Sequence, residues 1–296
     1  MRRLLPLLTA LLVAAPALGQ EATFTPLGDL PGGTFESHAY GVSPDGRVAV
    51  GQGSVEGAGE AFRWETGVMA GLGDLPGGVY ASIGWAASWD GSVVVGDSWS
   101  ANGTFEAFRW TEGTGMVGLG DLPGGAFEST AYDVTPDGAV VVGEGNPGGP
   151  INPSAAFRWE GGVMTRLPDL PGDEDRCGAR AVSADGRVVA GWGINADEGR
   201  EAARWVDGAV EGLGFPEGAT GTVAFDLSAD GGVAVGTAFT PSGTSAFIWT
   251  EGAGMAFLPD LPGGSPYREA RAVSGDGRVA VGVGDSGAAF EVFIWT

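Results

Sequence analysis

The sequence predicts an all-β fold, a six-bladed β-propeller with four antiparallel strands per blade, and three observations carry that prediction. A unit of 45 to 48 residues recurs six times, each copy holds four strand-length segments separated by turns, and the two chain ends carry complementary parts of one unit.

The repeat is marked by three motifs. Leu27-Gly-Asp-Leu-Pro-Gly-Gly33 returns at Leu72 and Leu119, as LPDLPGD at Leu167, as LPDLPGG at Leu258, and in degenerate form at Leu213. An Asp-Gly turn follows at Asp45, Asp90, Asp137, Asp185, Asp230 and Asp276, always 14 residues after the proline of the first motif, as in Pro31 and Asp45. An aromatic-Arg-Trp element, or a close variant, ends at Trp64, Trp110, Trp159, Trp205, Trp249 and Trp295.

Each unit reads as four strands. The first runs through Ala39–Ser43, and Ser43-Pro-Asp-Gly46 closes it, with proline presetting one turn dihedral and glycine taking the left-handed position. The second, Arg47–Gly51, is echoed by Val93-Val-Val-Gly96 and Val140-Val-Val-Gly143, β-branched runs suited to a strand covered on both faces. The third is Glu60–Trp64, where alternation puts Phe62 and Trp64 on one face. The fourth spans Val68–Leu75. The six repeat tryptophans are expected between blades, because tryptophan brings a large apolar area.

The chain stops after a third strand, at Trp295-Thr296, while Ala22–Asp29 matches a fourth strand. The N-terminal segment is therefore expected to complete the last blade, a closure that removes free sheet edges.

Residues 1–19 read as a signal peptide. Arg2 and Arg3 precede an apolar stretch from Leu4 to Leu18, and small residues stand at Ala17 and Gly19. Residues 20–296 then form one propeller domain, exported, with no membrane span and monomeric. The chain has 56 glycines, no lysine, 37 acidic residues and 15 arginines, a net charge of −22. That balance excludes nucleic acid, which needs clustered cations, and disfavours anionic membranes and polymers. It leaves a neutral glycan or a protein surface as partner.

The units resemble the HAF family of extracellular repeats. Leu72-Gly-Asp-Leu-Pro-Gly-Gly78, Val93-Val-Val-Gly96, Glu106-Ala-Phe-Arg-Trp110 and Gly115-Met-Val-Gly-Leu119 carry the likeness, which covers essentially the whole of residues 20–296. The family's histidine is replaced here by Glu60, Glu106, Ala155, Glu201, Ser245 and Glu291. The resemblance implies export and a repeated β architecture, and no activity.

Catalytic chemistry is limited by inventory. His38 is the single histidine, which rules out a metal site built on two imidazoles, and the absence of lysine removes Schiff-base mechanisms. No catalytic residue and no cofactor is assigned. Paired carboxylates leave a carbohydrate hydrolase or lyase as the alternative to a non-catalytic binding module. Cys177, the single cysteine, reads as a free thiol in a loop. The recurrent Asp29, Asp74, Asp121, Asp169 and Asp260 read as turn-bonding carboxylates.

Departures from the repeat point to a ligand site. Connections from fourth to first strand, and from second to third, emerge on one propeller face. They are expected to carry Phe35, Tyr80, Phe127, Trp99 and Trp192, aromatic candidates for stacking on a sugar or an apolar surface. Asp173, Glu174 and Asp175 form a weak Ca²⁺ candidate, lacking the spaced pattern of a dedicated calcium loop.

Overall fold

The computed structural model describes residues 25–149, 154–172, 176–197, 199–265 and 267–296, and these hold strands, turns and no helix. No helix among them is long and apolar enough to cross a membrane. The signal-peptide reading, Ala22–Phe24 and the acidic run Asp173–Asp175 lie outside the described residues.

Among the described residues, twenty-three strands form six antiparallel sheets, each connected in simple sequential order. The first sheet holds β1 (Ser37–Val42), β2 (Val48–Val55), β3 (Ala58–Glu65) and β4 (Val68–Gly71). The second holds β5 (Ser82–Ala87), β6 (Val93–Trp99), β7 (Phe105–Thr111) and β8 (Gly115–Gly118), and the third β9 (Ser129–Val134), β10 (Val140–Gly145), β11 (Ala155–Glu160) and β12 (Val163–Arg166). The fourth comprises β13 (Cys177–Val182), β14 (Val188–Ile194), β15 (Arg200–Val206) and β16 (Ala209–Gly212). The fifth comprises β17 (Gly221–Leu227), β18 (Val233–Thr240), β19 (Gly243–Thr250) and β20 (Gly254–Phe257), and the sixth β21 (Arg268–Val273), β22 (Ala280–Asp285) and β23 (Phe290–Trp295). The molecule is a six-bladed β-propeller whose first strands surround a channel.

The Asp-Gly turn is built as its sequence requires. In the first sheet Ser43 Oγ donates to Asp45 Oδ1 at 2.6 Å, and the same oxygen accepts the Arg47 N–H at 3.0 Å. Gly46 takes a φ of 75°. The pair recurs as Ser88–Asp90, Thr135–Asp137, Ser183–Asp185, Ser228–Asp230 and Ser274–Asp276. Turns also bond around the ring: Asp45 N–H donates to Trp89 O, Trp89 N–H to Pro136 O, Ala184 N–H to Ala229 O, and Ala229 N–H to Gly275 O.

The arginine of the aromatic-Arg-Trp element ties adjacent sheets together. The Nε–H groups of Arg63, Arg109 and Arg158 donate to Gly91, Gly138 and Gly186 carbonyls in the next Asp-Gly turn, and Arg204 Nη1 donates likewise to Gly231. Between sheets, apolar side chains interlock; Val48, Val50 and Ala61 of the first pack with Ala87, Val94 and Phe108 of the second.

Three expectations are corrected. First, the repeat tryptophans, expected to be largely buried between blades, pack with the core clusters there at Trp110, Trp159, Trp205, Trp249 and Trp295 but are not all buried. Trp205 and Trp249 are buried, while Trp64, Trp110, Trp159 and Trp295 are half-buried; Phe62, Phe108, Phe157 and Phe247, two residues earlier, are fully enclosed. Both rings stand on the third strand, Phe108 opposite Gly118 and Trp110 opposite Met116 of β8. Second, the fourth strands end sooner than Leu75, because Gly73 turns the chain (φ 75°) and the leucines of this motif anchor the crossing to the next sheet. Third, Thr25–Asp29 form no ladder with β23; the sixth sheet has three strands among the described residues. That segment instead leads into the first sheet. Asp29 Oδ2 accepts the Glu36 N–H at 3.1 Å, Gly28 O accepts Ser37 Oγ–H at 2.8 Å, and Leu30 packs over Gly53. At this seam Val281 and Val292 are 41% and 88% exposed, although their counterparts Val50 and Ala61 are fully buried against the second sheet.

Cys177 is likewise not in a loop. It opens β13, at the place held by Ser37, Ser82, Ser129 and Thr222 in other sheets. The hydroxyls of Ser82 and Ser129 accept the Ala61 and Ala107 N–H groups and donate to Gly73 and Gly120 carbonyls. Cys177 Sγ does the equivalent, accepting the Ala156 N–H at 3.2 Å and donating to Asp169 Oδ1 at 2.7 Å. Burial pushes its thiol pKa up strongly, so it stays protonated and acts as a structural hydrogen-bonding group.

Candidate binding site at the channel

Every first strand contains one β-bulge, and the bulged residue lines the channel. The register slips around Tyr40 in β1, Trp85 in β5, Tyr132 in β9, Arg180 in β13, Phe225 in β17 and Arg271 in β21. A bulge leaves one residue without a cross-strand partner and re-aims its side chain. Glycine opposite makes it possible: a Cβ on Gly51 or Gly143 would fall on the His38 or Thr130 carbonyl of the neighbouring first strand.

These six residues form a belt of four aromatics and two arginines around a space of about 600 Å³. Trp85 stacks obliquely between Tyr40 and Tyr132, with centroids at 4.6 and 6.0 Å. The Arg180 guanidinium lies 4.0 Å over Tyr132, and that of Arg271 lies 4.9 Å over Phe225.

Acidic groups fix this belt. Trp85 Nε1–H donates to Asp97 Oδ1 at 2.5 Å, and burial raises the Asp97 pKa to about 6. Asp133 lies deep beside Tyr132, its pKa raised to about 7 by burial and by Asp226; that of Asp226 is raised to about 6, again by burial. Two raised carboxylates in a channel are the feature the hydrolase reading needs. Here both oxygens of each are engaged by backbone: Asp133 accepts from Val134 and Val182, and Asp226 from Leu227 and Val273, at 2.8 Å in every case. They stitch the third sheet to the fourth and the fifth to the sixth, which is a structural duty.

The face carrying the fourth-to-first connections holds the sequence-predicted aromatics, in unequal states. Phe35 and Tyr80 are 88% and 76% exposed, and Phe127 is half-buried. Tyr80 borders a hollow of about 320 Å³ with Val55, Glu56 and Glu60. Trp99 and Trp192 belong to strands, because the second strands run further than the sequence reading allowed. Trp99, half-buried, packs edge-on to Phe105 at 5.1 Å. Trp192 is 6% exposed, donates from Nε1 to Glu144 Oε1 at 3.2 Å, and supports the Arg200 guanidinium 4.5 Å above its ring.

Sequence reasoning missed the Glu144 cluster. Glu144 Oε1 also takes Arg180 Nη2 at 2.7 Å, and Oε2 accepts Ser154 Oγ–H at 3.2 Å. Beside it a pocket of about 220 Å³ is lined by Glu128, Thr130, Tyr132, Glu144, Asn146 and Ser154. His38 lies on the same strand face as Tyr40, largely exposed, 3.3 Å from Glu36 Oε1. Among the described residues no group of three or more His, Cys, Asp or Glu could hold a metal ion.

The geometry defines a six-bladed β-propeller, and solved structures share that fold. The chain superposes on TolB from Acinetobacter baumannii with a TM-score of 0.54 at 19% identity, covering 76% of this chain and 54% of that one. It thus spans about half the length of that protein. A protein described as TolB from Agrobacterium tumefaciens gives 0.57 at 17% identity, covering 88% and 90% of the two chains. The β-propeller domain of the Trilobed protease from Pyrococcus furiosus, which has an open velcro topology, gives 0.59 at 12% identity and covers 88% and 79%. No family model and no curated protein matches the sequence.

Proposed function

We propose that this chain is an exported, non-catalytic binding module that takes a glycan on the face of its fourth-to-first connections. The observation that carries this reading is the exposure of Phe35 and Tyr80 at equivalent places in the first two blades. Aromatic rings held in water offer flat apolar faces on which sugar rings stack, and exposed aromatics without a partner cost solubility. The pocket beside Tyr132 supplies hydroxyl and amide groups suited to a sugar's hydroxyls. The net charge of −22 works against anionic polymers at long range. Export rests on the leader-like residues 1–19.

A glycan array probed with residues 20–296 tests the reading. Binding is expected for a restricted set of glycans and is expected to fall at least about tenfold in a Phe35→Ala/Tyr80→Ala variant, the loss of roughly one stacking contact per ring. A folded double variant that binds with unchanged affinity overturns it.

A further inference from the structure

We propose that the ligand of this face is a glycan bearing free amino groups, held with a sugar ring against Tyr80 and an ammonium group at Glu56 and Glu60. This deepens the glycan reading and rests on it.

The hollow beside Tyr80 has a local cause. β2 and β3 are joined by two residues, Glu56 and Gly57, at φ values of 51° and 84°, the turn of a tight hairpin. In the second sheet the same connection is longer, running from Ser100 to Thr104, and Thr104 Oγ1–H donates to the carbonyl of Phe127, the counterpart of Tyr80. Phe127 is half-buried there. The short first-sheet hairpin leaves Tyr80 largely exposed, above a space of about 320 Å³ lined by Val55, Glu56, Ala58, Gly59, Glu60 and Tyr80. That volume lies at the small end of the range that ligand pockets span.

The charge of the hollow has one sign. Its two ionisable groups besides the tyrosine are carboxylates, and among the described residues no arginine lines it. Glu56 is exposed at the hairpin tip; Glu60 is half-buried on β3, where Oε1 accepts the Gly73 N–H at 3.0 Å. The whole chain has 37 acidic residues, 15 arginines and no lysine. A cationic ligand is drawn at long range and meets counter-charges beside the ring, where an anionic one meets two like charges.

The hairpin is also held in place. Glu56 N–H donates to Gly32 O at 3.2 Å and Thr34 Oγ1–H to Ser54 Oγ at 3.0 Å, which ties it to the connection carrying Phe35. One exposed ring, Phe35, thus stands on the connection bonded to the hairpin, and the other, Tyr80, lies across the hollow.

The ligand chemistry follows from that pairing of ring and carboxylate. An aromatic face selects the apolar side of a sugar ring. Carboxylates at its edge select a substituent that donates hydrogen bonds and carries positive charge, because charge-assisted bonds are roughly twice as strong as neutral ones. An amino sugar has both features. The hydroxyl of a plain hexose and the acetamide of its acetylated relative donate without the charge.

Isothermal titration of residues 20–296 in mildly acid solution, where the sugar amine is protonated, tests this. The probes are three tetrasaccharides of one linkage, built from glucosamine, N-acetylglucosamine or glucose, with tetralysine as charge without sugar. The glucosamine tetramer is expected to bind at least about tenfold tighter than the other three, the effect of gaining a charge-assisted hydrogen bond. Glu56→Gln/Glu60→Gln leaves the Gly73 N–H an amide oxygen to donate to; it is expected to keep the melting temperature and abolish the preference. Glu56→Gln alone, at the exposed tip, is expected to remove part of it. Equal binding of the three sugars, no binding by any of them, a preference that survives the double glutamine variant, or tetralysine binding as tightly as the glucosamine tetramer overturns the proposal. If the three sugars bind equally and the Phe35→Ala/Tyr80→Ala variant loses them all, the glycan reading stands while this inference falls.

Discussion

Replacing Phe108 with alanine is expected to destabilise the protein more than replacing Trp110, although tryptophan is the larger side chain. Phe108 is completely enclosed, packed with Val48, Val50, Ala61 and Leu72 of the first sheet and with Leu75, Ala87 and Val94. Cutting it back removes a ring from a close-packed interface and leaves a cavity that two rigid sheets cannot collapse around. The cost is expected at roughly 3–5 kcal/mol. Trp110 sits at the margin of the same cluster, half-buried, so water already reaches part of its ring and no closed cavity forms when it is removed. Its loss is expected to cost about 1–3 kcal/mol, the transfer of roughly half a ring at ~25 cal/mol per Å². Differential scanning calorimetry reads the contrast. With about 2–4 °C per kcal/mol, Phe108→Ala shifts the melting temperature by roughly 6–20 °C and Trp110→Ala by roughly 2–12 °C. A Trp110→Ala shift equal to or larger than that of Phe108→Ala refutes the assignment of the interface core to the phenylalanines.

Two further predictions concern single groups. Cys177→Ser is expected to leave stability within about 1 kcal/mol of the parent, whereas Cys177→Ala strands the buried Ala156 N–H and costs about 1–3 kcal/mol more; chemical denaturation of both variants checks this. Stability is expected to peak in mildly acid solution. Asp97, Asp133 and Asp226 hold protons more tightly folded than unfolded, with values of about 6, 7 and 6 against 3.8, so stability rises as pH falls from about 8 to about 5. Asp45, Asp90, Asp137, Asp185, Asp230 and Asp276 have pKa values lowered by hydroxyl and backbone N–H donors, so they contribute stability that is lost as pH falls below about 4. Urea midpoints measured from pH 3 to pH 8 that stay flat above pH 5 contradict the first limb.

The architecture was legible because it is written six times in local chemistry. The Ser-Pro-Asp-Gly turn specifies its own hydrogen bonds, so Asp45 and its five repeats could be placed from sequence alone. The belt around the channel was not read, because a bulge is a register event and the sequence shows only a first-strand residue such as Tyr132 or Arg180 in an alternating pattern. A signal was present: the glycine ending each Val-Val-Val-Gly run, at Gly96 and Gly143, has no room for a side chain because the first strand bends onto it. The Glu144 cluster was beyond reach for a different reason. Its members come from β9, β10, β13, β14 and β15, and only packing of the third sheet on the fourth brings them together. The aromatic candidates were half legible: sequence position told that Phe35 and Tyr80 stand in connections, but not that β14 is long enough to absorb Trp192.

The bulge has a consequence for how such a molecule can change over generations. A residue excluded from the ladder carries no register information, so exchanging Tyr40, Trp85, Tyr132, Arg180, Phe225 or Arg271 for another side chain leaves the pairing on either side undisturbed. Duplication copies the frame six times and hands each copy one unconstrained letter facing a common space. Selection, or a library randomised at those six codons, can then rewrite the lining of the channel while the glycines behind it keep the strands bent as before.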